Sequence, residues 1–114
     1  MKKITLAVVV LSLVGCSSMS ELRSQPPVKS FTSNHPINAL SECILFGWQE
    51  NSVRYGDVYI QPSKNGKTVY SQANIEMADI ISNGNGSTVN FYHQSGLFKY
   101  RIDSRILAIE KCVK

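Results

Sequence analysis

The chain has 114 residues, of which 43% are hydrophobic and 18% are charged, a composition that allows one small domain. Its formal charge is +4, but Lys2 and Lys3 belong to a separate apolar N-terminal segment, and without them ten basic and eight acidic side chains remain. A charge near +2, with no run of basic residues, argues against a nucleic-acid partner.

Residues 1–15 have the order of a secretion signal. Lys2 and Lys3 precede a mostly apolar stretch at residues 4–14. This stretch of about eleven residues suits a signal, whereas a membrane-spanning helix needs about 20 apolar residues. We therefore interpret residues 1–15 as a cleaved signal peptide.

The signal ends in Leu13-Val14-Gly15-Cys16, which resembles the lipobox of bacterial lipoproteins. In that family the cysteine thiol takes a diacylglyceryl group, the signal is cut before it, and the new amine is acylated. The resemblance implies that Cys16 is the lipidated first residue and that its acyl chains enter the membrane. Ser17, where inner-membrane lipoproteins typically carry Asp, implies a lipid-anchored protein of the outer membrane that faces the periplasm.

Two other cysteines remain for pairing, because Cys16 is assigned to the anchor. An exported domain lies in an oxidising compartment, so the sequence predicts a disulfide between Cys43 and Cys112. A redox or metal-binding pair is the alternative. There is no CxxC spacing, and only His35 and His93 could add ligands, so we expect neither a metal site nor a cofactor.

Residues 16–33 are rich in serine, contain Pro26-Pro27 and lack apolar periodicity. They predict a flexible tether that could hold a domain about 50–60 Å from the bilayer when extended. The folded domain is then expected over residues 34–114.

The first element of that domain is predicted to be a helix over residues 37–50, with Asn34 or His35 as its N-cap. Its apolar positions share one helical face. They are Ile37, Leu40, Ile44 and Trp48.

Strands are expected over residues 53–60, 67–73, 87–93 and 97–102, separated by turns rich in Asn and Gly. Residues 75–82 are ambiguous, and we favour a strand in their second half. The C-terminal helix is expected to begin at Asp103 as N-cap, with Ile106, Ile109 and Val113 on one face.

The expected fold is therefore α+β, in the order α-β-β-β-β-α. A four-stranded antiparallel sheet is flanked by an N-terminal and a C-terminal helix that cover one face. The disulfide would join these two helices.

No set of catalytic residues is evident, so we expect a protein that is not an enzyme. His93 and Ser95 are close in sequence without forming a triad, and a hydrogen-bonded turn histidine is the favoured interpretation. Lys99, Arg101 and Arg105 are expected at a solvated strand edge and helix start, and the acidic residues on the surface or as caps.

All five tyrosines are expected in strand segments, at positions 55, 59, 70, 92 and 100. Tyrosine offers contact area with little entropy loss, although it is also a common strand residue. If the sheet face away from the helices binds a partner, Tyr70 and Tyr92 are the candidate residues.

These features predict a lipid-anchored binding module that contacts an envelope protein or the cell wall. The alternative is a periplasmic immunity or hydrolase-inhibitor lipoprotein, which has a similar general design but no motif in this chain. A hydrolase is the least favoured hypothesis.

Overall fold

The computed structural model describes residues 18–114. They form helices α1 (Met19–Arg23), α2 (Ile37–Gln49), α3 (Ser52–Tyr55) and α4 (Lys99–Val113), and strands β1 (Lys29–Ser33), β2 (Val58–Ser63), β3 (Gly66–Ser71), β4 (Glu76–Ser82) and β5 (Ser87–His93). The strands make one antiparallel sheet in the order β1-β5-β4-β3-β2. The predicted α+β class, with an antiparallel sheet and helices at both ends, is confirmed. The described part of the chain has five strands, not the four expected.

The additional strand comes from the predicted tether, and the tether prediction is wrong for residues 18–33. They form α1 and then β1, which pairs with β5 from Lys29 opposite Phe91 to Ser33 opposite Ser87. The partner strand lies more than fifty residues along the chain. Such a pairing leaves no local signal, particularly in a strand with one large apolar side chain, Phe31.

The predicted strand over residues 97–102 is also wrong, because α4 begins at Lys99. The Ile102 amide donates to the Phe98 carbonyl, as helical geometry requires. Asp103 is therefore not the N-cap. It lies one turn inside α4 and forms an ion pair of 2.7 Å with Lys99.

Two further element bounds differ from the expectation. The chain makes the helical turn α3 before the second strand, and Gly56, with a φ of 89°, redirects the backbone so that β2 begins only at Val58. Residues 76–82 form strand β4 throughout, not only in their second half. In addition, Asn34 and His35 do not cap α2, whose N-cap is Pro36 with no side-chain hydrogen bond.

The Asn-Gly turn between β2 and β3 is confirmed as the sequence predicts. Asn65 has a φ of 64°, and Gly66 follows directly as the first residue of β3. A Cβ atom at Gly66 would lie 1.8 Å from the Ile80 carbonyl oxygen. Only glycine fits where β3 approaches β4 so closely.

The main hydrophobic core lies between the sheet and helices α2 and α4. Its buried side chains come from alternate strand positions and from the apolar faces of the two helices. They are Leu40, Ile44, Trp48, Val58, Val69, Ala78, Ile80, Val89, Phe91, Ile109 and Cys112. Trp48 and Phe91 meet edge to face at the centre, with ring centroids 6.0 Å apart.

The predicted disulfide is confirmed. Cys43 on α2 and Cys112 on α4 are joined, with their Cα atoms 5.8 Å apart and a sequence separation of 69. The bond therefore closes a loop that runs from α2 to α4 and contains strands β2 to β5, and it restricts the unfolded chain accordingly.

Replacing both cysteines, Cys43→Ser with Cys112→Ser, should lower the free energy of unfolding by about 4 kcal/mol, the value expected for a loop of this length. Urea denaturation of the wild type and the double variant measures the difference, and the wild type in reductant is the matched control. Equal stability of the oxidised wild type and the double variant would contradict a stabilising bridge.

Candidate functional site

The sheet face opposite α2 and α4 carries a row of large side chains that runs across four strands. Tyr59 pairs with Tyr70, Tyr70 with Met77, and Met77 with Tyr92, so all four point to the same side. We call these four residues the tyrosine row. The rings of Tyr59 and Tyr70 lie 5.4 Å apart and form an aromatic pair at the β2 end of the row.

Helix α1 covers the other end of the tyrosine row. Leu22 is buried against Met77 and Tyr92, and Met19 packs at the margin of this cluster, together with Tyr70. Tyr92 is only 8% exposed as a result.

The two tyrosines named from the sequence therefore share one face but differ in access. Tyr70 is half-buried beside Tyr59, whereas Tyr92 lies under α1 and is not available for contact. Two other tyrosines are not in the sheet at all, since Tyr55 belongs to α3 and Tyr100 to α4.

A two-pronged ion pair holds α1 on the sheet. Arg23 donates from Nε to Asp79 Oδ2 and from Nη2 to Asp79 Oδ1, both at 2.8 Å. Thr68 accepts from Arg23 Nη2 at 2.9 Å and donates to Asp79 Oδ1 at 2.6 Å. The hydrogen bond to Asp79 raises the pKa of Arg23 above its ordinary value, which favours its charged form.

The start of α1 is fixed by a capping box. Ser18 Oγ accepts from the Glu21 amide at 3.2 Å, and Glu21 Oε1 accepts from the Ser18 amide at 2.8 Å. The spacing Ser-x-x-Glu is the sequence signal that would have predicted this helix, and it lies within the segment interpreted as a tether. Cys16, the predicted lipidation site, lies outside the described residues.

A second ionic cluster lies between β4 and α4, and no local pattern in the sequence indicates it. Glu76 is fully buried and accepts two hydrogen bonds from Arg101, at Oε2 from Nε and at Oε1 from Nη2. Arg105 is also fully buried, with its Nε 3.3 Å from Glu76 Oε1. The prediction that Arg101 and Arg105 lie at a solvated edge, and Glu76 on the surface or at a cap, is wrong.

Aromatic rings accommodate the buried Arg105. Its guanidinium carbon lies 4.9 Å from the Trp48 ring centroid and 5.4 Å from that of Tyr55, and Nη1 donates to the Trp48 carbonyl at 3.0 Å. Within residues 18–114, Arg105 Nε and Nη2 have no hydrogen-bond partner. Burial lowers the pKa of Arg105, while Glu76 opposes that shift. Two positive charges thus share one carboxylate, and the faces of Trp48 and Tyr55 cover the guanidinium group of Arg105.

The features considered for metal or acid–base chemistry are dispersed. His93 Nδ1 donates to the Gln94 carbonyl at 2.7 Å, which confirms the hydrogen-bonded turn histidine. Over residues 18–114, no group of three or more His, Cys, Asp or Glu side chains is placed to hold a metal ion.

A groove of mixed apolar and polar lining runs between α2 and α4 on the side of the helices away from the sheet. It has a volume of about 460 Å³ and includes the Cys43–Cys112 disulfide in its lining. Phe46 and Leu107 line it and are 58% and 50% exposed. Glu50 and Lys111, of opposite charge, also line it. The groove was not predicted, because it needs the relative position of two helices that are distant in sequence.

Comparisons with protein-family models, curated proteins and solved structures find no match to this chain. The assignment of a function therefore rests on the residues and their geometry.

The buried carboxylate of Glu76 should make the stability of the fold depend on pH. Burial alone would raise the pKa of Glu76, but the hydrogen bonds from Arg101 and Ser71 and the charge of Arg105 bring it below its ordinary value of 4.5. A depressed pKa in the folded state contributes stability above pH 4.5 that is lost as the pH falls through the folded-state value. Replacing Glu76 by Gln should remove this contribution and leave Arg105 unpaired, at a cost of about 3–5 kcal/mol at neutral pH.

Urea denaturation at a series of pH values from neutral to below 4.5 measures the free energy of unfolding of the wild type and of Glu76→Gln. The difference between the two proteins gives the stability lost on replacement and its dependence on pH. This difference in the free energy of unfolding should decrease as the pH falls below 4.5, because Glu76 then becomes protonated in the wild type. Glu110→Gln is the control, because Glu110 pairs with Lys29 on the surface and should contribute less than about 1 kcal/mol. A difference that stays constant over this pH range would contradict the depressed pKa.

Proposed function

We propose that this protein is a lipid-anchored envelope protein that binds a partner and does not catalyse a reaction. The observation that carries the proposal is the sequence Leu13-Val14-Gly15-Cys16 at the end of a signal-like segment. An acylated Cys16 would hold the domain at the periplasmic face of the outer membrane, as Ser17 suggests by the same resemblance. No helix within residues 18–114 is long and apolar enough to cross a bilayer.

The engagement of the charged side chains supports a binding role over a catalytic one. Asp79 is fully occupied by Arg23 and Thr68, and Glu76 by two arginines. A general acid or base needs a titratable group that can reach a substrate. These carboxylates are instead neutralised and buried.

The groove between α2 and α4 is the surface that we propose for a protein partner. Phe46 and Leu107 expose large apolar side chains beside a concave surface, a combination that is typical of interaction sites. Glu50 and Lys111 in its lining favour a partner segment that has an apolar side chain flanked by charges of both signs. An envelope protein fits this chemistry better than a uniform polysaccharide does.

Replacing Cys16 by Ala tests the anchor. The variant should lose incorporation of labelled palmitate and should leave the membrane fraction or be mis-sorted, while its circular dichroism stays that of the wild type. Ser17→Ala is the control, because it changes a residue beside Cys16 but keeps the cysteine and should keep the acylation. A Cys16→Ala protein that remains anchored and fully processed would show that the lipoprotein proposal is wrong.

Photo-crosslinking in intact cells tests the groove. A benzoylphenylalanine at Leu107 should give a discrete crosslinked protein, whereas the same probe at Asn83, an exposed residue of the β4–β5 turn, should not. Adding Phe46→Ser to the Leu107 probe should reduce the crosslink several-fold without changing the anchoring. Equal crosslinking from both positions would exclude the groove as the specific surface.

A further inference from the structure

The path of α1 across the sheet determines where the anchor leaves the domain. Met19 Sδ lies 3.7 Å from Gln61 Nε2 on β2, whereas Arg23 at the other end reaches Asp79 on β4. The helix therefore begins over the β2 side of the sheet. Its N-cap Ser18 is fixed there by Glu21.

Ser18 lies two positions after Cys16 in the sequence, and two residues span at most about 7 Å when extended. The Cα atom of an acylated Cys16 would therefore lie within about 7 Å of the Cα atom of Ser18, the N-cap of α1. The tether predicted from composition would have allowed about 50–60 Å. With Cys16 acylated, the bilayer would therefore lie close to the sheet face on which α1 is bound.

The surface beside the start of α1 has the chemistry of a membrane-contacting surface. Tyr59 is 43% exposed and pairs with Tyr70, and tyrosine is enriched at the level of lipid headgroups because one end of its ring is apolar and the other polar. Lys64, which is exposed, lines a hollow with Arg23 and Asp79 on the same face. Its ammonium group can pair with lipid phosphates.

We propose that the Tyr59–Tyr70 pair and Lys64 rest on the phospholipid headgroups, with α1 fixing the orientation and the α2–α4 groove directed away from the membrane. This inference rests on the proposed acylation of Cys16. It assigns the bilayer, not a protein, as the occupant of the exposed part of the tyrosine row.

Short-range fluorescence quenching tests the orientation. The full acylated chain is purified from membranes and reconstituted into vesicles of equal parts phosphatidylethanolamine and phosphatidylglycerol, brominated near the top of the acyl chains. Tyr59→Trp and Leu107→Trp place a probe on opposite sides of the domain at similar exposure, 43% and 50% for the native residues. Trp48 is fully buried and adds the same background to both proteins.

The Tyr59→Trp probe should be quenched at least about twofold more than the Leu107→Trp probe, because only the former would lie at the interface. Adding Arg23→Ala should release α1 and make the quenching at the two positions similar. Equal quenching in proteins that are acylated and float with the vesicles would overturn the orientation and leave the anchor proposal intact. Mass spectrometry that finds Cys16 unmodified, in protein that does not float, would overturn both.

Discussion

The ion pair between Arg23 and Asp79 holds α1 on the sheet, and the proposed orientation of the domain at the membrane rests on it. A five-residue helix is too short to be stable alone in water, so α1 depends on tertiary contacts. The burial of Leu22 and the two hydrogen bonds to Asp79 provide them. The carboxylate of Asp79 is buried between the sheet and α1, and Arg23 provides the positive charge that compensates it. Helix and carboxylate thus stabilise each other.

The two faces of the sheet are stabilised by different means. On one face, α2 and α4 bury a conventional apolar core, and a disulfide joins the helices. The Glu76 cluster lies at the margin of that core, where two arginines compensate one carboxylate and aromatic rings cover Arg105. On the other face, a single short helix covers half of the tyrosine row. Because of this difference, we expect α1 to detach from the sheet at a lower free energy than α2 and α4 do.

That asymmetry is consistent with the proposal that one face is anchored and the other binds a partner. If Cys16 carries the acyl chains, the less protected face is held at the membrane, where the bilayer shields it. The more rigid helical layer would then present Phe46 and Leu107 toward the periplasm. Binding sites on rigid elements keep their geometry without an ordering cost.

The sequence by itself determined the features that depend on local order: the signal-like segment with Cys16, the apolar stripe of α2, the Asn-Gly turn, and the one pairing left for Cys43 and Cys112. Local patterns define these features because the chemistry lies within a few residues. Only the tertiary structure decided that residues 18–33 are folded and that Arg105 is buried. Each depends on a partner far along the chain. Strand β1 pairs with Ser87–His93, Arg23 pairs with Asp79, and Arg105 pairs with Glu76. Hydrogen bonds and charge pairs across such separations leave no periodic trace in the sequence.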